Sequence, residues 1–208
     1  MAHSTSSSLL SPWDSLFSES TTRRIPRDID LYAMGERSED VILVESGAIV
    51  EIREDGSGVT HAVGLSGPGS LLGARVTANN VATSSMRAIA LADCVVRTMK
   101  RGDFVHATLC SPDLSISYLE FLARRLETTR KLTESCYAPS ISDHVLHVLQ
   151  TIATTFGVDQ NGASSIAVRH TILERMTGTP HRVLVAVVHE LGSHGMVQIE
   201  RDAVRWIL

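Results

Sequence analysis

The feature that most limits what this chain can become is a change of period at Ser111. Before it, from Ile29 to about Val96, short apolar or alternating runs (Val41 to Val44, Ala48 to Ile52, Val59 to Val63, Leu71 to Leu72, Ile89 to Leu91, Val95 to Val96) are cut by Gly35, Gly47, Gly56, Gly58, Gly67 and Gly69. Runs so short, punctuated by residues that turn the chain at little steric cost, predict antiparallel strands with tight turns. From Ser111 onward, Ser111, Pro112 and Asp113 read as an N-cap, a first helical residue and an acidic first turn. Leu119, Leu122, Leu126 and Thr129 then recur at three- and four-residue steps with Leu132 beside them, while Arg124, Arg125, Glu127, Arg130 and Lys131 fall elsewhere. Two such textures in one chain predict an α+β protein, strand-rich first and helical later.

The narrow stripe on that helix suits either its own β-domain or a seam with a second copy. The charged positions flanking it favour the seam. A homodimer is therefore expected, with Leu119, Leu122, Leu126, Thr129 and Leu132 at its interface. Pro139 ends the helix, and Ser140 with Asp143 caps a second one that runs to about Phe156, with Val145, Leu146, Leu149 and Ile152 inward. A polar loop containing Gly157, Asn161 and Gly162 leads to a short strand, Ile166 to Val168.

Arg169 to Thr177 reads as a short helix with Ile172, Leu173 and Met176 inward. Gly178 makes the turn, and Thr179 with Pro180 starts another helix. There Leu184, Val187, Val188 and Leu191 share one face, leaving His181, Arg182, Val185, Ala186 and His189 outward. Met196 to Leu208 alternates around Arg201 and Asp202 as a β-hairpin does. Helix, turn, helix and wing is an arrangement that offers its second helix to a DNA major groove, so double-stranded DNA is the expected partner.

Composition sets limits on the rest. The chain has 208 residues, 43% of them hydrophobic, enough for one or two cores. No apolar run approaches the roughly 18 residues that cross a bilayer, so no membrane partner is predicted. The first twelve residues lack the basic start and apolar stretch of a secretory leader, and Ser4 to Ser8 can bury almost nothing. Cys94, Cys110 and Cys136 are too few and too scattered for a disulfide framework, which points to the cytoplasm.

The net charge of −4 does not decide whether the partner is a polyanion. From Ala138 to Leu208 there are five arginines, no lysine and six acids, a balance of −1, with six of the nine histidines. That balance predicts weak or pH-sensitive contact with phosphates. His144 and His147 lie three apart on a helix, but no third ligand at useful spacing completes a metal site. No phosphate loop or nucleophile elbow is present. Neither an enzyme nor a bound cofactor is expected.

Three stretches together resemble the bacterial transcription regulators typified by the cyclic-AMP receptor protein and the fumarate and nitrate reduction regulator, the CRP/FNR family. The first is Met34, Gly35 and Glu36 through Val41, Ile42, Val44, Gly47 and Ile49, then Leu65, Gly67, Pro68, Gly69 and Leu71 to Gly73, which is similar to the β-roll of cyclic-nucleotide-binding domains. The second is Leu122 to Leu126, similar to the family's dimerisation helix. The third is the winged helix-turn-helix from Ile166 onward. The resemblance implies a flexible segment over 1–24, an antiparallel β-roll (jelly-roll) sensor over 25–110, a long dimerisation helix over 111–137 and a C-terminal winged helix-turn-helix over 138–208. It also implies a homodimer on promoter DNA, with RNA polymerase as an optional further partner.

The resemblance carries site residues with it, and several depart from the family's pattern. The effector pocket would lie among Gly73, Ala74, Arg75, Ser84, Ser85, Thr128 and Thr129. Ala74 stands where cyclic-AMP binders have a glutamate for the ribose, and Thr83, Ser84 and Ser85 supply hydroxyls where they have an arginine for the phosphate. The pocket is therefore expected to be degenerate, with no tight cyclic-AMP binding and either no effector or another one. No cysteine precedes Cys94, so the family's iron-sulfur centre is excluded. His61 and His106 read as surface histidines rather than haem ligands, and Cys110 and Cys136 as inert thiols rather than a switch.

On DNA, the resemblance gives Arg169 and His170 to the phosphates and adds Thr179, His181, Arg182, Val185, Ala186 and His189 as DNA-binding residues. His181 and Ala186 stand where base-reading arginines are usual. Arg182 is the residue left to read a guanine edge. Glu174 stands where the motif is usually small. The alternative is a dimeric sensing or protein-interaction module whose winged domain has lost affinity for DNA.

Overall fold

The computed structural model describes residues 12–74 and 82–207. Ten strands come first: β1 (Thr21–Ile25), β2 (Asp30–Tyr32), β3 (Arg37–Ser38), β4 (Asp40–Ser46), β5 (Ile49–Glu54), β6 (Thr60–Ser66), β7 (Leu71–Leu72), β8 (Ala82–Thr83), β9 (Arg87–Ala90) and β10 (Cys94–Lys100). Three helices follow, α1 (Arg101–Cys110), α2 (Pro112–Ser135) and α3 (Ile141–Phe156). The chain then continues through β11 (Val168–Arg169), α4 (His170–Thr177), α5 (His181–Ser193), β12 (Val197–Glu200) and β13 (Ala203–Trp206). The fold is α+β, with every strand pairing antiparallel.

Two four-stranded sheets, ordered β1-β10-β4-β7 and β2-β9-β5-β6, make the roll. Strand β4 shows why its sequence runs Val-Ile-Leu-Val instead of alternating with polar residues. Ile42 and Val44 point between the sheets, where they meet Ile49, Ala88 and Ala90. Val41 and Leu43 point the other way into a second cluster with Trp13, Phe17, Leu71, Phe104 and Phe121. Both faces are covered, so both parities are apolar. A third cluster joins Val50, Ile52, Ala62, Leu65 and Ile89 of the other sheet to Leu132 of α2 and to the apolar faces of α3, α4, α5 and the hairpin. The winged domain thus shares its core with the roll.

Two of the predicted helix starts are found, those of α2 and α3. The Ser111 hydroxyl accepts from the Leu114 amide at 3.4 Å, and the Ser140 hydroxyl from the Asp143 amide at 3.1 Å. Two features depart from expectation. The segment over 1–24 was predicted to be flexible throughout, but Trp13 and Phe17 are 1% and 0% exposed and β1 pairs with β10. Two aromatic side chains four apart provide the burial that the serine-rich stretch before them lacks. Ser4 to Ser8 lie outside the described residues. Helix α1 was not predicted, because of its buried residues Arg101, Phe104 and Thr108 only Phe104 is apolar, leaving little hydrophobic periodicity to detect.

Candidate nucleic-acid interface and effector cavity

The helix pair is set by Gly178, whose φ of +64° lets the chain reverse between α4 and α5. A side chain there would also meet the β5–β6 hairpin, since a Cβ would lie 2.5 Å from Val59 Cγ1. On α5, Leu184, Val187, Val188 and Leu191 are buried; His181, Arg182, Ala186 and His189 are exposed and Val185 is half-buried. The outward face is the one the spacing predicts. Thr179 is different. It is buried, its amide donates to the Thr177 hydroxyl at 3.4 Å, and Pro180 takes the position before the first helical residue. Thr179 therefore belongs to the interior of the turn, not to the surface face with which it was grouped.

The charged residues around this face are unequally committed. Arg169 Nε lies 3.2 Å from Asp202 Oδ2 on the hairpin and 3.2 Å from Asp28 Oδ2 on the roll. Beside it, the Arg27 guanidinium donates to the Ala167 carbonyl at 2.7 Å. His181 Nδ1 is 3.4 Å from Glu174 Oε2, a contact that bridges α4 and α5. The His170 ring is held below the ordinary imidazole value by burial first and then by the neighbouring His181, against the pull of Asp202. Arg182, by contrast, makes no ion pair among the described residues.

Along α2, Leu119 and Leu126 are 65% and 69% exposed, and Ile116, Leu122 and Ala123 are exposed with them. Ile116, Leu119, Ala123 and Leu126 follow alternating three- and four-residue steps, which is the spacing of a two-helix seam. Two of the residues first assigned to that stripe lie elsewhere. Leu132 is 1% exposed and packs in the core shared with α3. The Thr129 hydroxyl turns to the roll and donates to the Val63 carbonyl at 3.0 Å. Continued at the same steps, the stripe runs through the exposed Arg130 and Thr133; Thr129 and Leu132 each precede one of those positions by one residue, about 100° around the helix, which turns them toward the protein.

A cavity of about 460 Å³ lies between the roll and α2. Gly73, Ala74, Ser84, Ser85 and Thr129 line it as expected; Thr128 does not, but lines a separate groove of about 870 Å³. Arg75 lies outside the described residues. The sequence suggested hydroxyls and Arg75 as polar groups; three arginines from outside that loop, Arg53, Arg101 and Arg125, also line the cavity. Arg125 pairs with Glu51, which is 1% exposed and also accepts from the Tyr32 hydroxyl at 2.7 Å. Arg101 Nε donates to the Gly73 carbonyl at 3.1 Å, and the Tyr118 hydroxyl donates to the Ala74 carbonyl. Gly64 leaves room for the pair, because a Cβ there would come 2.8 Å from Glu51 Oε2. One signal for this arrangement was present: Glu51 sits inside an apolar strand on the parity of Ile49.

Scanned against protein-family models and against curated proteins, the sequence matches none. Solved structures do match. CLP, a c-di-GMP responsive global regulator of Xanthomonas campestris, superposes with a TM-score of 0.76 at 16% identity, over 94% of this chain and 97% of that one. FixK2 of Bradyrhizobium japonicum gives 0.71 at 15% identity over 90% and 92%, and a CRP-family transcriptional regulator of Thermus thermophilus gives 0.71 at 15% over 89% and 92%. The fold is that of the CRP/FNR transcription regulators. The Glu51–Arg125 pair and the two backbone-bound side chains Arg101 and Tyr118 line the cavity beneath α2. Among the described residues no helix is long and apolar enough to cross a membrane.

Proposed function

We propose that the chain is a homodimeric, sequence-specific DNA-binding transcription regulator of the CRP/FNR family, with no catalytic activity. The observation that carries this reading is the exposed α5 face, on which Arg182 stands without a counter-charge among the described residues, beside His181, Ala186 and His189. A guanidinium with both edges available suits a guanine O6 and N7, a contact worth about 1–3 kcal/mol of discrimination. Dimerisation through Ile116, Leu119, Ala123 and Leu126 would space two such helices for a twofold target. His170 and Arg169 contribute contacts to phosphates, the latter once it leaves its carboxylates.

The cavity is degenerate as a cyclic-AMP site. Ala74 offers no carboxylate to a ribose, and Arg125 is already neutralised by Glu51. A phosphate entering there has to displace a buried carboxylate, which disfavours it. The regulator acts without a ligand or with an effector other than cyclic AMP.

Retardation of fragments from the source genome by purified protein tests the reading. Binding is expected to be retained at low salt and weakened about tenfold or more by Arg182→Ala. No binding even at low salt and pH 6 would leave the second reading, a dimeric sensing or interaction module. What favours that second reading is the engagement of Arg169 by two carboxylates and of His181 by Glu174.

A further inference from the structure

Sequence spacing gives His144 no metal-binding partner, but the fold does. His61 on β6, Cys136 just after α2 and His144 in the first turn of α3 converge where the roll, the long helix and the winged domain meet. One ring nitrogen of each histidine and the Cys136 Sγ all lie within 4.8 Å of one another. We propose that these three side chains form a binding site for a zinc-type divalent transition metal, with one sulfur and two nitrogen ligands and a fourth position open to water.

The hydrogen bonding around the two rings supports this assignment. A neutral imidazole carries one N–H. His144 Nδ1 is 2.7 Å from the Ser135 carbonyl, and its Nε2 is 3.2 Å from the Thr177 carbonyl. With the proton on Nδ1, the Nε2 lone pair faces an oxygen lone pair, an arrangement that a cation relieves. A ring that donates one N–H to a backbone carbonyl and binds metal through the other nitrogen is the usual second-shell pattern of histidine ligands. In His61, Nε2 lies 3.9 Å from the Asp55 carboxylate, while Nδ1 is buried and has no hydrogen-bond partner. Among the described residues His61 Nδ1 is thus the ring nitrogen left for a metal, while at His144 a metal would take Nε2 in place of its contact with the Thr177 carbonyl.

The donor set selects the metal class. One thiolate and two imidazoles suit zinc or cobalt in tetrahedral geometry; calcium and magnesium require oxygen ligands. Tetrahedral bonds of the usual lengths place such ligand atoms roughly 3.3–3.6 Å apart. From separations of at most 4.8 Å the ligand atoms have little more than an ångström to close, a movement on the scale of χ rotations at Cys136 and His61. The Ser135 carbonyl holds the His144 ring through Nδ1; the Thr177 contact at Nε2 would give way to the ion, and the Cys136 thiol would give up its bond to the Leu132 carbonyl on losing its proton. A bound ion would tie β6, α2 and α3 at a single point, so occupancy would set how firmly the winged domain is held to the roll.

The test uses the untagged full chain, stripped of metal with a chelator and titrated with zinc against a chromophoric chelator, and separately with cobalt. One zinc per chain is expected. Cobalt should give the visible bands of a tetrahedral site together with a thiolate charge-transfer band in the near ultraviolet. Cys136→Ser should abolish that band, and Cys136→Ser and His61→Gln should each weaken zinc at least ~10-fold. His147→Gln, exposed on the same helix, should change neither. Zinc should also slow alkylation of Cys136 while leaving Cys110 reactive, a readout that needs no variant. No retained zinc, a cobalt spectrum without the thiolate band, or zinc held equally by both ligand variants would overturn the proposal; the last outcome would place the ion on other histidines. The site stands independently of DNA binding, so neither result depends on the other.

Discussion

At the scale of single residues, the Glu51–Arg125 pair carries a large electrostatic commitment. Glu51 is enclosed between β5, β6 and α2, and its carboxylate is satisfied by Arg125 and the Tyr32 hydroxyl. Removing one partner leaves a charge in a site that water barely reaches. Arg125→Ala is therefore expected to cost about 3 kcal/mol in denaturant unfolding, while Glu51→Met with Arg125→Met should fall within ~1 kcal/mol of the parent. A double variant as unstable as the single one would show that the charge pairing is not the cause. His170 gives a second residue-level expectation. Its ring is depressed below 6.5 by burial, so the unfolded chain takes up a proton that the folded chain resists. The stability it confers is full above pH ~6.5 and is lost as pH falls through the lower folded value. His170→Gln should flatten the slope of melting temperature against pH between 7 and 5, and an unchanged slope would assign that slope to other groups.

At the scale of elements, α2 is the helix whose two faces do different work, and two substitutions separate them. Leu126→Glu, or Leu119→Glu, places a charge on the proposed seam and is expected to convert a dimer to a folded monomer by light scattering, with little change in the monomer's own stability. Leu132→Ala is expected to leave the dimer and lower stability by about 2–5 kcal/mol, because it opens a cavity in the core shared with α3. A monomer produced by Leu132→Ala alone would return that residue to the seam. Both faces carry leucine, so the sequence shows that α2 is amphipathic without showing which leucine faces which surface. Caps and turns were more legible: Ser111, Ser140 and Gly178 each place a helix end correctly because the chemistry of an end is local. The cavity was less so. Arg101, Tyr118 and Arg125 reach it from α1 and α2 by tertiary packing, and nothing in their immediate neighbours announces it.

At the scale of the whole molecule, the winged domain is joined to the roll by the shared apolar core and by a polar contact at its edge. Asp28 holds φ at +67°, an unfavourable region for a residue with a Cβ, and from that position its carboxylate reaches Arg169 across the domain boundary. The same turn sends Arg27 to the Ala167 carbonyl. Arg169, the residue proposed to meet a phosphate at the start of α4, is thus occupied by the protein's own acids. Asp28→Gly removes the carboxylate and relieves the backbone conformation at once, so the fold should be retained. Arg169 would then answer to Asp202 alone. An exposed ion pair is worth about 0–1 kcal/mol, so affinity for DNA should rise by up to about fivefold. If Arg169 then contacts a phosphate, the slope of log affinity against log salt should steepen by about 0.9. Fluorescence anisotropy across a salt series measures both quantities. Arg169→Ala in the Asp28→Gly background should cancel the gain. A gain that survives loss of Arg169 would show that the turn restrains the position of the winged domain and not the charge of one arginine.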